Sequence, residues 1–339
     1  MKKDLLKKVG NMHQLADIMP ITFGDGRANG MEGWLVKNGQ LQFTVMQDKC
    51  LDIAELSYKG INFSFLSKAG MQGRNHYDTN GNEALRSIMG GMLFTCGFEN
   101  ICAPYKDYPM HGRIRTTPAE HSGVNTDWTD DGYELSINGQ MREAELFGEN
   151  MLLSRKITTV YPKKEIKICD KIENQSYKPQ PMMLLYHFNF GYPFLDEGTQ
   201  ILLPSEKIIA RDEIAEPHVK EYALMQKPID NEPEYVFLHD LKSDENDNTF
   251  AVVINDKLGL GFCIKFSKKY LPYFMQWKSL ASGDYVLGLE PANSSVYGRQ
   301  YHEKHNDLHM LNPFESEEIE ITLQVFEGEE INILRGMLK

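Results

Sequence analysis

At 339 residues the chain is long enough for one large β domain or two of ordinary size. Its apolar fraction of 41% and charged fraction of 25% are those of a globular protein, and no run of about 18 uncharged apolar residues is present to cross a bilayer as a helix. A net charge of −12 works against binding to phosphate backbones, which needs clustered Lys and Arg, so the expected partner is a small molecule and neither nucleic acid nor membrane.

Met1-Lys-Lys-Asp-Leu-Leu-Lys-Lys starts with positive charge but has no apolar stretch behind it. Residues 1–30 are therefore expected as an N-terminal extension opening on a short surface helix or tether, not as a secretion signal. The glycine cluster Gly24-Asp-Gly26-Arg-Ala-Asn-Gly30 lacks the spacing of a dinucleotide fingerprint and reads as a loop. From about Gln40 onward, apolar residues alternate with polar ones: Leu41, Phe43 and Val45; Tyr133, Leu135 and Ile137; Ile166, Ile168 and Ile172; Phe262, Ile264 and Phe266; Ile319, Ile321, Leu323 and Val325. A period of two is that of strands with alternate faces, and the turn residues between them predict a mostly antiparallel all-β chain. Helical turns are expected only at 2–9 and near Glu83 to Met89, while 205–226 is ambiguous. The polar run Ser243-Asp-Glu-Asn-Asp-Asn248 is expected as an exposed hairpin loop inside one domain spanning 1–339. Five scattered cysteines without a C-x-x-C pair read as reduced thiols of a cytoplasmic protein.

Three segments carry candidate chemistry. In the strand pattern 181–193, Met183, Leu185, His187 and Asn189 share one face and Leu184, Tyr186, Phe188 and Phe190 the other. His187 thus leaves an apolar row either as a half-desolvated general acid or as a core histidine bonded to a carbonyl. Tyr108-Pro-Met-His111-Gly-Arg113-Ile-Arg115 sets a histidine and two arginines beside a glycine, which suits close approach of a ligand or an incidental surface turn. Just upstream, Arg86 precedes the glycine-rich stretch Met89 to Gly97 and Asn100. In Tyr285-Val-Leu-Gly-Leu-Glu290-Pro-Ala-Asn293, Val286, Gly288 and Glu290 lie on one face, so Glu290 is either a base facing a cleft or an acceptor for backbone amides. Gln276 and Trp277 precede it, the tryptophan as a sugar-stacking platform or a core ring. Tyr301-His302-Glu-Lys-His305 is one residue short of a zinc helix motif and reads as a polar loop, with no metal expected.

Taken in order, HGRIRTTPA, LLYHFNFGYP and YVLGLEPANS resemble the aldose 1-epimerase (galactose mutarotase) superfamily, and more closely its less characterised aldose-1-epimerase-like branch. Asp48-Lys-Cys-Leu-Asp-Ile53 and Tyr58-Lys-Gly-Ile-Asn62 look like its early strand pair, so the resemblance covers roughly residues 30–330. It implies a galactose mutarotase-like β-supersandwich and an isomerase that interconverts sugar anomers without metal or cofactor. It makes His187 the general acid at the ring oxygen, Glu290 the general base at the anomeric hydroxyl, and His111 a group that holds or polarises the sugar. Arg86, Asn100, Arg113, Asn189, Gln276, Trp277 and Asn293 become candidates to bind it. Lys49 stands where the early motif usually has Arg, and Asn312-Pro-Phe-Glu315 replaces a Pro-Gly-Glu turn. Two other readings stay open: a non-catalytic carbohydrate-binding protein on the same fold, and a cupin-like barrel using these groups as metal ligands. Arginines 86, 113 and 115 could also clamp an acidic sugar. A monomer or homodimer is expected.

Overall fold

The computed structural model describes residues 2–73 and 81–338 and resolves the alternation into antiparallel sheets. After a short helix α1 (Lys2–Leu6), the first sheet runs in chain order through β1 (Ala16–Thr22), β2 (Glu32–Asn38), β3 (Leu41–Met46), β4 (Asp52–Tyr58) and β5 (Ile61–Asn62). The stretch expected as an extension therefore supplies an integral strand, paired with β2 from Ala16↔Asn38 to Thr22↔Glu32. Pro20 is accommodated because β1 is the sheet's edge, where a missing N–H need not break a ladder.

Onward come β6 (Phe94–Phe98), β7 (Glu120–Thr129), β8 (Gly132–Ala144), β9 (Asn150–Tyr161), β10 (Glu165–Asn174), β11 (Gln180–Pro181) and β12 (Met183–Phe190). They are followed by β13 (Gln200–Leu202), β14 (Ser205–Ala210), β15 (Tyr235–Leu241), β16 (Asn248–Asn255), β17 (Leu260–Ser267), β18 (Tyr273–Ser279) and β19 (Val286–Ala292). Helix α2 (Gly298–His305), β20 (Met310–Leu311), β21 (Ser316–Glu327) and helix α3 (Ile331–Gly336) complete the chain. An eight-stranded sheet has the order β13-β16-β17-β21-β10-β9-β8-β7, and a six-stranded sheet the order β14-β15-β18-β19-β12-β6. The ambiguous 205–226 becomes β14 and a 3-10 turn at Glu216–Glu221, and the turn near residue 83 is a 3-10 helix, Gly81–Arg86. Ser243 to Asn248 is exposed, but it carries the chain from β15 in one sheet to β16 in the other and so is a crossover, not a hairpin.

The facing sides of the two large sheets close one core in which Ile137, Ile157, Ile168 and Ile321 meet Phe188, Phe190, Leu287 and Leu289. Each such side chain contributes about 1.5–3 kcal/mol by leaving water. One polar group breaks the inward row of β10: Asp170, between Ile168 and Ile172, is 2% exposed. Its register partner on β9 is Arg155, whose Nε and Nη2 reach Asp170 at 2.8 and 2.7 Å. Nη1 of Arg155 donates to Asp52 at 2.8 Å, Thr95 donates to Asp52 at 2.6 Å, and the Tyr186 hydroxyl donates to Asp170 at 2.7 Å. The cluster ties β4, β6, β9, β10 and β12 together from within.

Candidate active site

The site stands on the other side of the six-stranded sheet. Every residue of β12 is buried because both faces are covered. Leu184, Tyr186, Phe188 and Phe190 enter the main core, while Met183 and Leu185 join a smaller cluster with Phe94, Cys96, Val236, Met275 and Ala292. His187 continues this second row. The neighbouring strand β19 pairs Leu185↔Ala292 and Phe188↔Leu289, which sets Glu290 across from His187. Pro291 has no N–H to give, and the β12–β19 pairing lapses between those two pairs, beside both side chains.

His187 Nε2 lies 3.2 Å from Glu290 Oε1. Gly288 makes this contact possible: a Cβ there would stand 2.8 Å from His187 Cε1 and 2.9 Å from Glu290 Oε1. Strand β18, on the far side of β19, pairs Met275↔Glu290 and Trp277↔Gly288, so the Trp277 ring flanks the pair with its centroid 5.4 Å from that of His187. His111 arrives from the loop after β6, its ring 5.9 Å from His187 and 5.9 Å from Phe94. That loop is tightly folded: His111 adopts φ +62°, and Gly112, at φ +71°, sits where a Cβ would be 2.0 Å from the Gly97 carbonyl oxygen. The Nδ1 atoms of His111 and His187 are buried with no hydrogen-bond partner.

Burial dominates the electrostatics. It pushes Glu290 up to about 8, helped by the nearby Glu234 carboxylate and opposed by Arg211. It pushes His187 down to about 3 and holds His111 well below the usual histidine range. A histidine kept protonated by neighbouring carboxylates is thus not what this burial produces, because removing water penalises both charged forms. Between those limits the His187–Glu290 pair holds one proton in total, resting on the carboxyl group.

The seven expected binding residues divide. Trp277 flanks the pair, and Asn189 lies two residues from His187, donating to the carbonyls of His187 and Gly91 at 3.0 Å. Gln276 is on the opposite face of β18, fully buried, bonded to His239 and to the Tyr222 carbonyl. This corrects its expected role, because strand alternation sends 276 and 277 to different sides. Asn100 and Asn293 spend their amides on the fold, the first on the carbonyls of Ala103 and Pro109, the second on Leu184 and Met182. Arg113 gives its guanidinium to Glu99 and to the Asp107 carbonyl. Arg115 is buried, with a bond to Ser87, and Arg86 ends its 3-10 helix exposed.

Two charged residues near the site went unread in the sequence. Glu234, just before β15, accepts from Trp277 Nε1 at 2.8 Å and from both terminal nitrogens of Arg211 at 3.1 Å. The run Asp230-Asn-Glu-Pro-Glu234 looks like any polar turn, so no local signal marks it. Tyr301 to His305, expected as loop, lies in α2. His302 Nε2 accepts from the Ser295 amide, and its Nδ1 lies 2.9 Å from Asp307. Among the described residues no group of three His, Cys, Asp or Glu side chains is placed to hold a metal.

A family profile described as "Domain of unknown function (DUF4432)" matches residues 28–325. The chain belongs to that family. No curated protein matches its sequence significantly. Among solved structures, this DUF4432 member is similar to a Klebsiella pneumoniae protein provisionally designated an aldose 1-epimerase, with 23% identity, a TM-score of 0.88, and 95% of this chain and 86% of that one covered. A galactose mutarotase-like protein from Clostridium acetobutylicum aligns at 16% identity and a TM-score of 0.65, covering 93% and 99% of the two chains. The galactose 1-epimerase of Lactobacillus acidophilus aligns at 11% identity and a TM-score of 0.57, covering 93% and 100%. The expected architecture is therefore correct: the fold is that of the galactose mutarotases.

Proposed function

We propose that the protein is a cofactor-independent sugar mutarotase in which His187 and Glu290 exchange protons with one pyranose ring. The observation that carries this reading is the 3.2 Å contact between His187 and Glu290, with the His111 ring 5.9 Å from that of His187. The pair's single proton passes from Glu290 to His187, leaving a base and an acid side by side. Glu290 takes the proton of the anomeric hydroxyl while His187 delivers one to the ring oxygen, and the bond between the anomeric carbon and the ring oxygen breaks to give the open aldehyde. Rotation and reclosure with the same transfers reversed give the other anomer, and both groups return to their starting state. Because Arg113 is engaged within the fold, the substrate read here is a neutral aldose. The five free thiols support a cytoplasmic setting.

Polarimetry on freshly dissolved aldoses tests the proposal: anomer exchange should proceed above its spontaneous rate in proportion to protein concentration. Sugar binding without acceleration would leave a carbohydrate-binding module instead. Two further results are expected. The pH profile of kcat/KM should be flat below about pH 8 and fall above it, because there the pair loses its one proton and the acid is gone. An unchanged rate at pH 9.5, roughly 1.5 units beyond that value, would rule this out. Trp277→Ala should weaken sugar binding by up to about tenfold, as loss of an aromatic contact costs about 0.5–1.5 kcal/mol, measured by calorimetric titration.

A further inference from the structure

Strands hold His187 and Glu290, but a loop holds His111. Residues 99–111 leave the end of β6 and return to it, with Gly97 N donating to the His111 carbonyl at 3.2 Å and His111 N donating to Cys102 O at 2.9 Å. Beyond these bonds the loop is steadied by α2, the helix whose sequence looked like a stray metal motif. Its first turn lies hard against the loop: a Cβ on Gly298 would be 2.9 Å from the Ile101 carbonyl oxygen. The next residue, Arg299, reaches the loop at two places. Its Nη1 donates to Glu99 O at 2.9 Å, and its guanidinium lies 4.0 Å over the Tyr108 ring. Glu303, one helical turn on, orients the guanidinium through Nε at 2.7 Å and pairs with Lys106 of the same loop at 3.0 Å.

We infer that Arg299 is a positioning residue which, by stacking on Tyr108 and bonding Glu99, holds the 99–111 loop so that His111 stays against His187. A planar fork that stacks and donates at once is what Arg supplies and Lys does not, so the effect is one of shape as well as charge. His111 at φ +62° is in a conformation costing about 1–3 kcal/mol, which persists only where the surroundings impose it. The kinetic consequence rests on the mutarotase reading; the structural one does not.

The test uses the full chain labelled with 15N-histidine, as wild type, Arg299→Met, Arg299→Lys and Tyr108→Leu. In Arg299→Met and Tyr108→Leu the side-chain resonances of His111 should shift or broaden, and more than those of His187, which its own strand holds. In polarimetry kcat should fall about tenfold, more than KM rises, since a displacement of about 1 Å at a reacting centre costs up to about 10² in rate. Arg299→Lys should not restore it. Unmoved His111 resonances in a folded Arg299→Met chain would overturn the inference, and so would full recovery with Lys. Tyr108→Leu leaves α2 intact and decides the matter if Arg299→Met does not fold. Should wild type turn over no aldose, the mutarotase reading falls while the resonances still judge Arg299.

Discussion

Glu290→Gln should slow mutarotation by about 10²–10⁴, the usual contribution of a positioned proton-transfer group. The amide matches the carboxyl group in shape and can still meet His187 across the 3.2 Å contact, but it cannot take the anomeric proton. Because burial already keeps the carboxyl neutral near pH 7, the variant should melt with wild type. His187→Ala should lose a comparable factor, since it removes the proposed acid at the ring oxygen. The double variant should be little worse than either single one, because an acid and a base that trade one proton fail together. Polarimetry on all four proteins measures this. Equal rates would remove both residues from the chemistry.

The second large effect is on stability. Arg155→Leu should cost about 3–5 kcal/mol, because it strands Asp52 and Asp170 as unpaired carboxylates in the core. All three side chains are fully buried, at 0% side-chain exposure. Arg155 spans two sheets through these carboxylates and donates as well to the Cys50 carbonyl and to Thr95. Burial already raises Asp52 to about 6 even with Arg155 beside it. Without the guanidinium Asp52 is protonated more readily and titrates above 6, so part of the stability lost relative to wild type should return as pH falls towards 6. Urea unfolding at pH 7.5 and 5 would show both effects, and a midpoint equal to wild type at pH 7.5 would contradict the account.

The faces of His187 and Glu290 could be read from alternation alone, whereas His111 lies on a loop and has no such signal. Met183, Leu185 and His187 do part from Leu184, Tyr186, Phe188 and Phe190, and Gly288 and Glu290 do share a side. What escaped was anything that depends on a partner distant in the chain. Asp170 is a polar break in the row Ile166, Ile168, Ile172, and only Arg155 on the next strand explains it. Gln276 was paired with Trp277 as a sugar contact even though neighbouring positions in a strand face opposite ways. The Asn293 amide is absorbed by the Leu184 N–H and the Met182 carbonyl, more than a hundred residues away. Strand β1 was hidden because Pro20 and a short alternation resemble a tether, and α2 because eight residues with four basic side chains and no apolar stripe carry little periodic signal.

Site and core occupy the same strands, at alternate positions. Trp277, the half-buried ring on the His187 side, can be varied at least cost, whereas Met183, Leu185 and Met275 are as deeply buried as Leu184, Phe188, Leu287 and Leu289 and fill a second apolar cluster. Odd and even positions along β12 therefore both bear on the melting point, and redesign on this side has to keep the second cluster filled and leave Gly288 without a side chain.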